Sequence, residues 1–174
     1  MIFNKDSRKA AEAATKIRLL ALDVDGILTD GRLYYSNNGE ELKAFHTLDG
    51  HGIKTLQENE IDVAIITGRT SDILNKRASE LRIEKVHQGV ANKQLVLSLI
   101  MEKHSYSTDE VAYAGDDLPD LSALQAVGLS FSVPNAHPTI KKVVDIVTDL
   151  QGGRGAVREM SDFILKSKGI CQTV

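Results

Sequence analysis

"LLALDVDGILTD", residues 19 to 30, decides how the rest of the chain is read. Its apolar opening has the make-up of a strand buried on both faces, the kind found inside parallel sheets. The run ends in two aspartates one residue apart, Asp23 and Asp25, followed at once by Gly26. Two carboxylates aimed off the end of a core strand need a physical reason.

Working outward, similar short runs recur along the chain: DVAIITG, KVHQG, VAYAG, LSFSV and DIVTD. Between them HGIKTLQEN, SDILNKRASEL, NKQLVLSLIMEKH, LSALQAV and AVREMSDFILKS have helical spacing, with Ser71, Asn92 and Asp117 where N-caps belong. Such alternation predicts an α/β fold, a doubly wound parallel sheet, in a single domain over residues 1–174. Residues 31–45 break the pattern. Two strand-like runs around Asn37-Asn38-Gly39 predict a hairpin inserted directly after the first strand and standing over its end. Residues 1–16 read as a lone helix with a frayed start, and residues 168–174 as a loose tail.

Ligands of an open parallel sheet bind at the carboxyl ends of its strands. Four such ends carry polar residues here: Asp23 and Asp25, then Thr67-Gly68-Arg69, then Lys93, then Gly115-Asp116-Asp117. Several carboxylates in one crevice repel one another unless a cation is present. Asp23, Asp25 and Asp116 are hard oxygen donors, with no paired histidine or soft cysteine beside them, so the cation expected is magnesium. Magnesium shares its shell with phosphate, and Lys93, Thr67 and the neighbouring backbone N–H groups are donors for phosphoryl oxygens. Asp23 is then placed as a nucleophile that forms an aspartyl-phosphate, and Asp25 as the general acid and base.

The whole-chain figures exclude other classes. A net charge of −3, with no basic cluster, speaks against nucleic acid. No apolar run reaches the roughly 18 residues of a membrane span, and the polar start is no secretory signal, so no membrane partner and a cytoplasmic location are expected. The single cysteine, Cys171, has no partner for an internal disulfide. His46, His51, His87, His104 and His137 lack the spacing of a zinc site.

Taken in order, D-V-D-G-x-L-T-D, I-I-T-G-R, a lysine opening a helix and G-D-D-x-x-D resemble the haloacid dehalogenase superfamily of phosphatases, from about Ile17 to Lys166. The resemblance implies a Rossmann-like fold of that superfamily. It implies Asp23 as nucleophile, Asp25 as acid/base, Thr67, Gly68 and Lys93 on the phosphate, and magnesium held by Asp23, the Asp25 backbone carbonyl and Asp116. Asp117 and Asp120 would be supporting acids. About 40 residues separate Asp25 from Thr67 and about 20 separate Lys93 from Asp116, too few for the cap domain of larger members, so a capless enzyme is implied.

More specific stretches are similar to the 3-deoxy-D-manno-octulosonate 8-phosphate phosphatase family: N-N-G-E-E-L-K-A-F, D-G-x-G-I-K at residues 49–54, and Gly152-Gly153-Arg154-Gly155-Ala156-Val157-Arg158-Glu159. That likeness implies a phosphorylated sugar acid as substrate, a role in lipopolysaccharide synthesis, and a homotetramer whose neighbouring subunit covers the crevice. It also implies that His46, Thr47, Leu48, Asp49, Gly50, Lys54, Arg69 and Arg77 line the sugar side, with Arg154 as a lid. Leu48 and Lys54 stand where some members have arginine, which leaves the identity of the sugar acid open. Two enzymatic or near-enzymatic alternatives share the scaffold: a phosphatase for another acidic sugar, such as a sialic acid 9-phosphate, and a chain that kept the fold without catalysis. A phospho-accepting receiver module is a further class. It would place its acidic pair early and its phospho-acceptor in mid-chain, unlike the order here.

Overall fold

The computed structural model describes residues 1–170, with residues 40 and 41 as backbone only. Its strands are β1 (Ile2–Phe3), β2 (Leu19–Leu22), β3 (Tyr34–Ser36), β4 (Gly39–Leu42), β5 (Asp62–Ile66), β6 (Lys85–His87), β7 (Val111–Ala114), β8 (Leu129–Ser132) and β9 (Ile146–Val147). All but β3 and β4 form one seven-stranded sheet in the order β1-β9-β8-β7-β2-β5-β6. β2 lies inside it, parallel to both neighbours, with Leu22 level with Ile65 on one side and Ala114 on the other. The chain thus leaves β2 toward β5 first and returns to its other flank at β7, which opens a crevice at the carboxyl end of β2.

The helices are α1 (Ser7–Lys16), α2 (Thr47–Glu58), α3 (Asp72–Glu80), α4 (Lys93–His104), α5 (Leu121–Leu124), α6 (Pro138–Val143) and α7 (Ala156–Ser167). α7 packs against α1 and α2, while α4 and α5 pack together over β5, β7 and β8. β2, β7 and β8 are buried along their whole length, which is why their sequences run apolar without alternation. No helix among the described residues is long and apolar enough to cross a membrane.

The hairpin forms as expected, with β3 and β4 paired antiparallel on either side of Asn37-Asn38 and an irregularity between Tyr34 and Tyr35. Three expectations need correction. The first residues are no lone helix: Ile2 and Phe3 pair antiparallel with Val147 and Ile146, so the sheet is parallel except at this edge. α1 then starts at Ser7, capped by Asp6, whose side chain accepts from Arg8 N–H at 2.8 Å, and buries Ala10 and Ala14. Residues 168–170 are not loose either. Lys168 Nζ donates to Thr15 O at 2.6 Å, and Ile170 packs on the core; residues 171–174, with Cys171, lie outside the described residues.

The last difference lies at α2, which begins four residues before the expected HGIKTLQEN. His46 caps it, Nδ1 accepting from Leu48 N–H at 3.2 Å. Gly50 and Gly52, each costing about 1 kcal/mol in a helix, hide that first turn from a propensity reading.

Candidate active site

The backbone leaves β2 through a distorted turn, Val24–Leu28, whose sharpest point is Gly26 at φ +105°. A side chain there would be strained, and a Cβ would stand 2.1 Å from Asp116 Oδ2. Gly26 therefore lets the acid at the end of β7 close on the acids at the end of β2. The same turn is pressed from outside by Gly152, where a Cβ would lie 1.7 Å from Gly26 O, and is tied down by Gly153 N–H donating to Ile27 O at 3.0 Å.

Asp23 is buried, and its Oδ1 lies 2.8 Å from Lys93 Nζ, the first residue of α4. Asn92 caps that helix, its side chain accepting from Leu95 N–H at 3.0 Å. Lys93 also reaches Asp120 Oδ1 at 2.6 Å, a carboxylate that accepts from Tyr113 OH at 2.8 Å. Asp120 Oδ2 takes the amides of Asp116 at 3.2 Å and Asp117 at 3.3 Å. Both oxygens of Asp120 are thus filled by protein donors. Asp117 is exposed, and its side chain accepts from Leu118 N–H at 2.8 Å as the cap of the turn that carries Asp120.

Asp116 differs, for its Oδ1 is buried with no hydrogen-bond partner. Carboxylate oxygens of Asp23, Asp116 and Asp120 lie within 4.8 Å of one another, a density of negative charge that Lys93 alone offsets poorly. Burial first, and then Asp120, push the Asp23 carboxyl up to about 7 against the pull of Lys93. Burial, followed by Asp23 and Asp120, pushes Asp116 up to about 8. Burial works against the Lys93 ammonium, but the two aspartates outweigh it and hold its pKa above the usual value. The donor set fits magnesium: hard oxygens from Asp23 and Asp116, one of them unsatisfied, with Asp120 already engaged.

Thr67 and Gly68 follow β5, the strand beside β2. Thr67 is buried and fixed by its own N–H to His87 O at 2.9 Å, while its Oγ1 accepts from Arg69 N–H at 3.4 Å. The Asp25 carboxylate turns toward the hairpin: Oδ1 pairs with Lys43 Nζ, and Oδ2 lies 3.7 Å from Arg69 Nε. Arg69 also donates to Tyr35 OH at 2.7 Å.

The sugar-side expectations divide. Thr47 and Leu48 are exposed on the first turn of α2. Arg77 lies behind that turn, its Nη2 3.5 Å from His46 O, its guanidinium over Phe45 and paired with Glu80 at 3.1 Å. Gly50 is buried against Arg77 Nη2. Asp49 faces inward, not toward a ligand: it is 1% exposed and accepts from Arg158 N–H at 2.9 Å and Gly155 N–H at 3.3 Å, capping α7. Lys54 stands apart, beside Asp62, Glu84 and Lys85 in a groove of about 550 Å³ at the amino ends of β5 and β6. Arg154 is exposed, on a loop that is fastened at Gly152 and Gly153 and runs into α7.

Lys43 and Tyr113 were missed by the motif reading. A lone lysine after a hairpin strand carries no signal unless the hairpin is already known to fold back over β2. Tyr113 was hidden inside an apolar strand.

The sequence pattern of the haloacid dehalogenase-like hydrolases matches residues 71–160. The 3-deoxy-D-manno-octulosonate 8-phosphate phosphatase of Escherichia coli K12 is 48% identical over 156 residues, covering 90% of this chain and 83% of that one. A solved structure of the Moraxella catarrhalis phosphatase of that name, in complex with a magnesium ion, a phosphate ion and KDO, superposes with a TM-score of 0.91 at 42% identity, covering 94% of each chain. The Yersinia pestis phosphatase gives 0.91 at 44%, covering 93% of this chain and 88% of that one. The chain belongs to the haloacid dehalogenase-like hydrolases and, within them, to the 3-deoxy-D-manno-octulosonate 8-phosphate phosphatase family.

Proposed function

We propose that the chain is a magnesium-dependent phosphatase that hydrolyses 3-deoxy-D-manno-octulosonate 8-phosphate to the free sugar acid and phosphate, a step of lipopolysaccharide synthesis. One observation carries this reading: a buried Asp23, 2.8 Å from Lys93, beside an Asp116 with one oxygen unsatisfied. Magnesium, held by Asp23, Asp116 and the Asp25 carbonyl, supplies charge neutralisation at the phosphoryl oxygens. Lys93, Thr67 and the Gly68 backbone hold the remaining oxygens. Asp23 attacks phosphorus through a carboxylate oxygen while the bond to the sugar oxygen breaks, and Asp25 gives that oxygen its proton. Asp25 then takes a proton from water as the water oxygen bonds to phosphorus and Asp23 is released. Asp120 and Asp117 keep Lys93 and the Asp116 loop in place.

The sugar acid end lies toward Thr47, Leu48, Arg69 and Arg154, since a cationic fork suits its carboxylate. His46, Gly50 and Arg77 support that side from behind. The single domain acts in the cytoplasm as a homotetramer, a neighbouring copy closing the open crevice. The test is phosphate release from the eight-carbon acid 8-phosphate, a sialic acid 9-phosphate, glucose 6-phosphate and p-nitrophenyl phosphate, each with magnesium and with chelator. Preference for the first, lost with chelator, supports the reading. A flat profile removes the named substrate.

A further inference from the structure

The hairpin puts one residue where the chemistry needs control. Tyr34, Tyr35 and Leu42 on its strands are 43%, 60% and 54% exposed, whereas the Lys43 side chain directly after β4 is 2% exposed and ends on Asp25 Oδ1. Burying an ammonium is costly unless it is paired, so this contact is not incidental to the hairpin's seating. Asp25 itself stands on the turn that follows β2. Two cations from separate segments fix it: Lys43 on Oδ1 and Arg69 Nε, 3.7 Å away, on Oδ2. Arg69 in turn donates to Tyr35 OH, with its guanidinium 5.9 Å from the ring centre. The hairpin therefore meets Asp25 directly through Lys43 and again through Tyr35 and Arg69.

We infer that Lys43 is a positioning residue that couples the seating of the hairpin to the aim of the Asp25 carboxyl at the departing oxygen. This rests on the phosphatase reading above, in which Asp25 hands its proton to the sugar alkoxide. A proton donor acts only within hydrogen-bond reach of its acceptor, and a misaimed one forfeits part of its effect. The loss must then depend on the leaving group, because an alkoxide needs the proton and a nitrophenolate leaves without it. A lysine that merely fastens the hairpin has no such selectivity.

The experiment compares kcat of wild type, Lys43→Met and Lys43→Arg on the eight-carbon acid 8-phosphate and on p-nitrophenyl phosphate, with magnesium at saturation. Methionine keeps the buried stem without the charge, so kcat on the sugar phosphate is expected to fall about 30-fold while that on the nitrophenyl ester stays within about 3-fold. Arginine keeps the charge and moves the donors, so a smaller loss with the same selectivity is expected. Should the methionine variant not fold, the arginine variant decides alone. Equal losses on both substrates, or no loss on either, overturn the inference while leaving the phosphatase reading intact. A wild type inert toward both esters removes both.

Discussion

The ammonium of Lys93 lies closer to Asp120, at 2.6 Å, than to Asp23, at 2.8 Å, and all three groups are buried. Asp120 is thus an anchor that holds the lysine at the strand ends. Removing one partner of a buried ion pair costs about 3 kcal/mol or more. Asp120→Ala is expected to lower stability by about that amount and to reduce kcat as Lys93 loses its place. Denaturant unfolding and phosphate release check the two effects, and a variant with unchanged stability would contradict the anchor.

Asp23→Asn keeps the shape and a hydrogen-bond acceptor for Lys93 but removes the attacking carboxylate. Turnover is expected to fall by about 10⁴-fold or more, with the circular dichroism spectrum retained. Substantial residual turnover would rule out the aspartyl-phosphate route.

Asp23 and Asp116, at about 7 and about 8, both stand above the 3.8 of a free aspartate. These two groups therefore hold more protons in the metal-free fold than in the unfolded chain between about pH 4 and 8, and their contribution to stability is lost as pH rises through that window. Magnesium offsets charge that is present only at the upper end. The rise in Tm on adding magnesium is expected to be larger at pH 8.5 than at pH 5.5. Calorimetry at the two pH values checks this, and an equal rise would place the metal elsewhere.

Asp49 distinguishes a cap from a substrate contact. Asp49→Ala removes the acceptor for the first amides of α7 and is expected to cost about 1 to 2 kcal/mol. KM for the sugar phosphate should stay within about 2-fold, and a large rise in KM with unchanged stability would return Asp49 to the substrate.

Gly26→Ala must place a Cβ against the Asp116 carboxylate at a φ that alanine avoids. Magnesium affinity, followed by calorimetric titration, is expected to fall at least about 10-fold as Asp116 is pushed away. Unchanged affinity would show that Asp116 moves at no cost.

Much of this was legible because strand ends in a parallel sheet are predictable places. Asp23, Thr67, Lys93 and Asp116 each follow an apolar run or open a helix, so the topology alone puts them near one another. The pairing of Lys93 with Asp120 was not legible, since it depends on how the Leu118–Asp120 turn brings that carboxylate back under the amides of Asp116 and Asp117. Lys43 and Asp49 failed for the same reason in opposite directions. One carried no signal, yet its side chain turns inward; the other sat in a motif, yet its carboxylate spans 106 residues to Gly155. β1 was too short for periodicity to register, and only its partner β9 makes it a strand.

The catalytic turn after β2 is written near the start of the chain, yet Gly152 and Gly153 are what press it into shape. The N-terminal amine likewise pairs with Asp149 and Glu159. A chain emerging from the ribosome therefore carries every proposed reactive aspartate long before it has a finished crevice. Because Gly152 and Gly153 press on that turn, chains broken off before residue 152 are expected to be released without activity.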